Sequence, residues 1–199
     1  MNLRLLLISH APTAAMRAGR FPADDPLDAR GLGQRPPRAR LNLSLKFADD
    51  AAAFVSPALC ARDTSSALGL IGQTDAALAD IDYGNWRGQR LNELAAHTPE
   101  ALAAWTRDPD AAPHGGESFS QVVTRIGGWL DALAATPDNA SADERHVVAL
   151  THAPVIRAAI VHVLGASPAI FSRMEIAPLS VVELRHSRQR GWSWLPAAS

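Results

Sequence analysis

The stretch Leu5-Leu6-Leu7-Ile8-Ser9-His10-Ala11-Pro12-Thr13 decides the fold of this chain. A short apolar run, Leu3–Ser9, reads as a buried strand, and a histidine stands immediately after its end. A small residue and a proline then lead into a helix. Far along the chain, Val147-Val148-Ala149-Leu150-Thr151-His152-Ala153-Pro154 repeats the same design. Parallel α/β sheets bind ligands in the crevice outside the carboxyl ends of their strands. If the two runs are neighbouring strands, His10 and His152 face each other in that crevice.

Around these two runs the chain alternates strand-like and helical patterns. Further strand-like runs lie at Ala53–Ser56 and Leu179–Leu184, with a weaker one at Gly191–Leu195. Helical patterns run from Pro57 to Gly72, from Ser118 to Leu133 and from Pro154 to Leu164, the last ending at Gly165. Proline at the start and glycine after the end is the expected asymmetry of helix termini. In the second helix Phe119, Val122, Val123, Ile126, Trp129, Leu130 and Leu133 recur at helical spacing. The alternation predicts a three-layer α/β/α sandwich with a mainly parallel sheet. Pro36-Pro37 breaks any helix over Gln34–Arg40, and residues 136–145 read as a polar surface loop. No internal repeat and no second domain are visible, so residues 1–199 are expected to form one domain.

Composition narrows the function classes. The formal net charge is -1 with scattered basic residues, which argues against a nucleic-acid partner. The longest apolar stretches fall well short of the ~20 residues of a membrane helix, and the N-terminus lacks a signal-peptide layout. The single cysteine, Cys60, excludes an internal disulfide and offers no metal-type Cys cluster. A cytoplasmic enzyme or binding protein is the expectation. Two histidines at the mouth of a sheet, one of them at a helix start, suit an anion, because helix N-termini present free N–H groups and a positive dipole. An imidazole placed there can attack phosphorus while a second one hydrogen-bonds the transferred group.

Six boxes in order give the chain a resemblance to a known family. They are Ser9-His10-Ala11-Pro12-Thr13; Gly19-Arg20 with Pro26-Leu27-Asp28-Ala29-Arg30-Gly31; and Ser56-Pro57-Ala58-Leu59-Cys60-Ala61-Arg62-Asp63-Thr64. Then come Asp80-Ile81-Asp82-Tyr83-Gly84-Asn85-Trp86-Arg87-Gly88, Gly115-Gly116-Glu117-Ser118, and Thr151-His152-Ala153-Pro154-Val155-Ile156-Arg157. Together they resemble the histidine phosphatase superfamily, in its phosphoglycerate-mutase-like, cobC-like branch. The resemblance implies a phosphoglycerate-mutase-like fold and a metal-free phosphohistidine mechanism without cofactor. It makes His10 the nucleophile, His152 the group opposite it and Asp80 the acid/base carboxylate. Ser9, Thr13, Cys60, Glu117 and Ala153 fall at or beside its substrate-binding positions. A small phosphorylated metabolite is the expected partner, and a homodimer is left open.

The chain also departs from the family pattern. The family surrounds its phosphate with two histidines and two arginines, and the planar guanidinium fork suits phosphate oxygens. Here Ser9 and Cys60 stand at the two arginine positions, Met16 replaces an asparagine, and Asp80 replaces a glutamate. Arg62 is near in sequence, but two helical steps turn it about 200° from Cys60. Arg17, Arg20 and Arg87 are the candidates to supply the missing charge. Glu117 is expected near the pocket, with Ser118 as a helix cap. His114 is expected on a surface loop, and Trp86, Trp105 and Trp129 in the core. Two functions compete: a hydrolase of a small phosphate ester acting through His10, and a silent or repurposed relative binding a less charged ligand. A mutase is the weaker third, because the segment between Asp80 and Gly115 is short for the insertion that mutases of this fold carry.

Overall fold

In a computed structural model, residues 2–33, 51–136 and 144–195 are described. Six strands form one sheet: β1 (Asn2–Ser9), β2 (Ala52–Val55), β3 (Gln73–Thr74), β4 (Glu144–Thr151), β5 (Val181–Ser187) and β6 (Gly191–Leu195). Their order across the sheet is β3-β2-β4-β1-β5-β6. The pairs β1–β4, β2–β4 and β2–β3 are parallel, whereas β5 and β6 add an antiparallel edge. The helices are α1 (Ala14–Arg17), α2 (Ala29–Gly33), α3 (Leu59–Leu68), α4 (Leu91–His97), α5 (Pro99–Arg107), α6 (Phe119–Ala135) and α7 (Ala153–Leu164).

The expected sandwich is what β1 builds. Alternate residues of a strand point to opposite faces, and here both faces are apolar. Leu3, Leu5 and Leu7 pack into a large core with Ile126 and Leu130 of α6 and Ile156 and Ile160 of α7. Leu6 and Ile8 pack on the other face with Val55, Val148, Leu150 and Ala61 of α3. Strands covered on both faces by helices read as continuous hydrophobic runs, as this one does. Each fully buried Leu or Ile here contributes roughly 1.5–3 kcal/mol.

The expected element boundaries shift by a residue or two at several ends and change more at the following ones. The helix begun at Pro57 starts at Leu59 and stops at Gly69 rather than Gly72, because Gly69 adopts the left-handed conformation (φ 70°) that closes the last turn. The strand expected at Leu179–Leu184 runs instead over Val181–Ser187. Leu179 takes a positive φ of 60° and donates its N–H to Ser9 O, closing a turn over the end of β1. The polar half of β5, Arg185–Ser187, pairs with both β1 and β6 but is only partly buried, so hydrophobic patterning did not mark it. Finally, Glu144 and Arg145 belong to β4 rather than to a loop, and β2 begins at Ala52 and ends at Val55. The Pro36-Pro37 break and residues 137–143 lie outside the described residues. Among the described residues, no helix is long and apolar enough to cross a membrane.

Candidate active site

β4 lies between β2 and β1, and Ser9 pairs in register with Thr151. The two strand ends are therefore side by side, and the His10 N–H donates to Thr151 O at 3.0 Å. The imidazoles of His10 and His152 meet edge-to-face with ring centroids 5.0 Å apart. Both are buried, with 8 % and 2 % of their surface exposed. They form the floor of a cavity of about 440 Å³, lined also by Thr13, Met16, Pro57, Ala58, Cys60, Asp80, Tyr83, Arg87, Ala153 and Pro154. Asp24 and Asp25 complete its acidic side.

Hydrogen bonds fix each ring. His10 Nδ1 lies 2.7 Å from Ala11 O. A carbonyl only accepts, so Nδ1 carries the proton and Nε2 keeps its lone pair. His152 Nε2 is 2.7 Å from Ser56 Oγ. Its Nδ1 has no hydrogen-bond partner and lies 3.5 Å from Asp80 Oδ2. Asp80 Oδ1 accepts the Ile81 N–H at 2.9 Å. The loop carrying Asp80 is pinned to the end of β4, because Thr151 Oγ1 donates to Leu78 O at 2.7 Å. Thr64 plays the same part across the cavity. Its Oγ1 accepts the Ala11 N–H at 3.0 Å and donates to Cys60 O at 2.6 Å, tying the His10 loop to the start of α3.

Glycines make the Asp80 side compact. A Cβ on Gly116 would lie 2.0 Å from Asp82 O, and one on Gly84 (φ 45°) 2.2 Å from His114 O. Two backbones cross there at a distance only glycine permits. The crossing accounts for the glycines in both boxes. It also buries His114 completely against Trp86 and Tyr83 rather than leaving it on the surface. Trp86 and Trp129 are buried and Trp105 packs against the core, as expected.

The cavity holds neutral imidazoles and a reluctant acid. Burial, with His152 adding to it, pushes His10 down to about 4. Burial, helped by the Arg125 charge, pushes His152 down to about 3. Burial raises Asp80 to about 6 against the opposing pull of His10 and the Ile81 N–H. Burial and the Asp80 charge push the Cys60 thiol up to about 12. His10, Cys60 and His152 bring one donor atom each within 4.8 Å of one another.

The charged residues expected around a phosphate are placed elsewhere. Arg17 pairs with Asp28 and donates to Pro12 O, and Arg20 pairs with Asp25 at 3.3 Å; neither lines the cavity. Ser9 is buried with its backbone bonded to Ser180 and Leu179, and does not line the cavity either. Glu117 stands outside it, gripped by both arms of Arg125 at 2.9 and 2.8 Å. Arg62 is exposed on α3. Arg87 does line the cavity, paired to Asp82 at 2.9 Å. Thr13, Cys60 and Ala153 face it. Thr13 also caps α1 by accepting the Met16 N–H, and Ala153 opens α7, whose N-terminal residues His152, Ala153 and Pro154 line the cavity.

Two contributors escaped sequence reasoning. Ser56 orients His152, although its box had been recognised. Arg125 donates Nη1 to Ala77 O (2.6 Å) and Ala79 O (3.1 Å), holding up the loop that carries Asp80. Its signal was a lone arginine in the apolar stripe of α6, two helical turns beyond Glu117.

Comparisons with known proteins place these features in company. The family described as histidine phosphatase superfamily (branch 1) matches residues 5–195. A bifunctional protein of Mycobacterium tuberculosis is 28% identical over 186 residues, covering 90% of this chain and 50% of its own. A glucosyl-3-phosphoglycerate phosphatase of the same species is 32% identical over 133 residues, covering 65% of this chain and 56% of its own. Phosphoserine phosphatase 1 of Hydrogenobacter thermophilus is 28% identical, covering 82% and 77%. The chain thus spans about half the length of the first curated relatives it matches. Among solved structures, a mycobacterial glucosyl-3-phosphoglycerate phosphatase with VO3 superimposes with a TM-score of 0.77 at 25% identity, covering 96% of each chain.

Proposed function

Because the chain belongs to the histidine phosphatase superfamily, branch 1, we propose that it hydrolyses phosphate esters of a small metabolite through a phosphohistidine on His10. Support comes first from one observation: His10 is a neutral imidazole whose Nδ1–H is spent on Ala11 O, leaving the Nε2 lone pair for attack. In the first step Nε2 bonds to phosphorus and the ester P–O bond breaks. Asp80, protonated below about 6, gives its proton to the departing oxygen. In the second step the Asp80 carboxylate takes a proton from a water that attacks the phosphohistidine, releasing phosphate and restoring His10. His152, held by Ser56, turns Nδ1 toward the transferring oxygens and donates to them in its Nδ1–H tautomer. The first turn of α7 adds backbone N–H groups and a partial positive charge in place of a guanidinium.

Incubation with a panel of esters, including phosphoserine and phosphorylated sugar acids, tests this reading. Turnover and an acid-labile phosphoenzyme, both absent in His10→Ala, are the expected results. Failure of every ester overturns it. A second reading, a relative that binds a less charged ligand, draws on the cavity's charge. Its one lining guanidinium among the described residues, Arg87, is already paired, while three aspartates face the space. That reading requires negligible turnover in the natural protein and a gain in Ser9→Arg/Cys60→Arg.

A further inference from the structure

We propose that His10, Cys60 and His152 form a binding site for a single zinc ion, and that the ion and a phosphoryl group exclude one another. Composition argued against a metal site, because one cysteine makes no cluster in sequence. The tertiary structure supplies the rest. The three residues come from the end of β1, the first turn of α3 and the end of β4, and all three are buried. Their donor atoms already lie within 4.8 Å of one another. Tetrahedral zinc, with bonds of ~2.3 Å to sulfur and ~2.0–2.1 Å to nitrogen, spaces two nitrogens and one sulfur about 3.3–3.6 Å apart. The proposed site therefore needs the three side chains to draw together by about an ångström on binding.

The hydrogen bonds leave the right atoms available. His10 donates Nδ1–H to Ala11 O, which presents Nε2 as a lone pair and fixes the ring as an outer-shell carbonyl does in metal sites. In the tautomer that keeps its proton on Nε2 and donates it to Ser56 Oγ, the opposite of the one used toward a phosphoryl group, His152 offers Nδ1 as the ligand atom. That Nδ1 is buried without a hydrogen-bond partner, an arrangement that costs stability unless something occupies it. Binding replaces the S–H bond by an S–Zn bond and releases one proton. The set is two imidazoles and one thiolate, a donor mix suited to zinc. Asp80 lines the same cavity. The ion site stands without the phosphatase reading. The exclusion rests on it, since a zinc ion and a phosphorus atom need the same lone pair on His10 Nε2.

The test uses the full chain, stripped with a chelator. Zn²⁺ is titrated against a chromophoric chelator, and Co²⁺ serves as a spectroscopic probe. One Zn²⁺ per chain is expected, with a thiolate-to-cobalt charge-transfer band and the d–d bands of a tetrahedral ion. Cys60→Ala and Cys60→Ser are expected to lose the band and at least about 100-fold in affinity, with circular dichroism and thermal unfolding showing that both remain folded. Zinc should inhibit ester turnover competitively, and a chelator should reverse it. Absence of stoichiometric zinc, or equal affinity in the Cys60 variants, overturns the site while leaving any measured turnover intact. Zinc bound through Cys60 without effect on turnover overturns the exclusion. Zinc binding in a protein that turns over no ester upholds the site and sinks the phosphatase reading alone.

Discussion

The floor of the cavity and its rim carry the same kind of task and solve it in opposite ways. On the floor, His10 and His152 sit at adjacent strand ends, tied through Thr151, Ser56 and Ala11 to the interior of the sheet. On the rim, Arg17, Arg20 and Arg87 are each paired to an aspartate, and Ser9 and Cys60 stand where arginines are expected. The floor is placed by the geometry of a buried parallel pair, so its residues cannot drift. Around it the three guanidiniums stand on α1 and on loop segments, and each is held by a nearby carboxylate. Positive charge around the cavity therefore does not follow from the number of arginines near it in sequence. It depends on which carboxylates stand closer than the ligand would.

The comparison can be broken at several points. The largest effect is expected on the floor. If His10 carries the phosphoryl group as proposed, His10→Ala should lower ester turnover by at least ~10³-fold; steady-state assays with a phosphorylated sugar acid or phosphoserine check it. Next, Asp80→Asn should cost ~10²–10⁴-fold and reshape the pH profile. In the proposed mechanism His10 attacks only when neutral, so activity should rise through about 4. Asp80 would donate only when protonated, so activity should fall through about 6. The natural protein should show a bell between these limbs, and the asparagine variant should lack the upper one.

On the rim, Ser9→Arg/Cys60→Arg should raise kcat/KM by up to ~10²-fold, since one well-placed donor is worth that much or more. A fall instead would show that the α7 N-terminus already supplies the charge. Arg125→Gln is a finer probe. Arg125 holds Asp80 down, so its loss should move the upper limb of the pH profile above about 6. Loss of its carbonyl bonds should cost about 1–3 kcal/mol in chemical unfolding. Smallest of all, Arg17→Ala should change KM by less than about twofold and stability by no more than ~1 kcal/mol, as for an exposed ion pair.

How far the site was legible depended on where each residue stands. His10, His152, Asp80 and Thr13 could be read because short boxes carry them at fixed distances from strand ends, and the cavity wall follows those ends. Ser56 lay inside a recognised box, but its bond to His152 joins two strand ends 96 residues apart in the chain. Arg125 was hidden in an apolar stripe, where a lone charge looks like a tolerated exception. Its partners, Ala77 O and Ala79 O, are backbone atoms with no sequence signature. Arg17, Arg20 and Glu117 were expected at the cavity because they are close to it along the chain, yet their nearest opposite charges turn them away.

By itself the sequence determined the α/β sandwich and two strand ends that each deliver a histidine; that β1 and β4 are parallel neighbours came from the structure. The sandwich and the strand ends follow from local rules: apolar runs buried on both faces, proline and glycine at helix ends, and ligands at carboxyl strand ends. Only the tertiary structure decided which charges reach that crevice, which nitrogen of each imidazole is free, and that Cys60 closes on both histidines. Those outcomes depend on distances of a few ångströms between segments far apart in the chain. Electrostatic and hydrogen-bonding preferences are settled there by the nearest partner, and sequence order does not encode who that partner is.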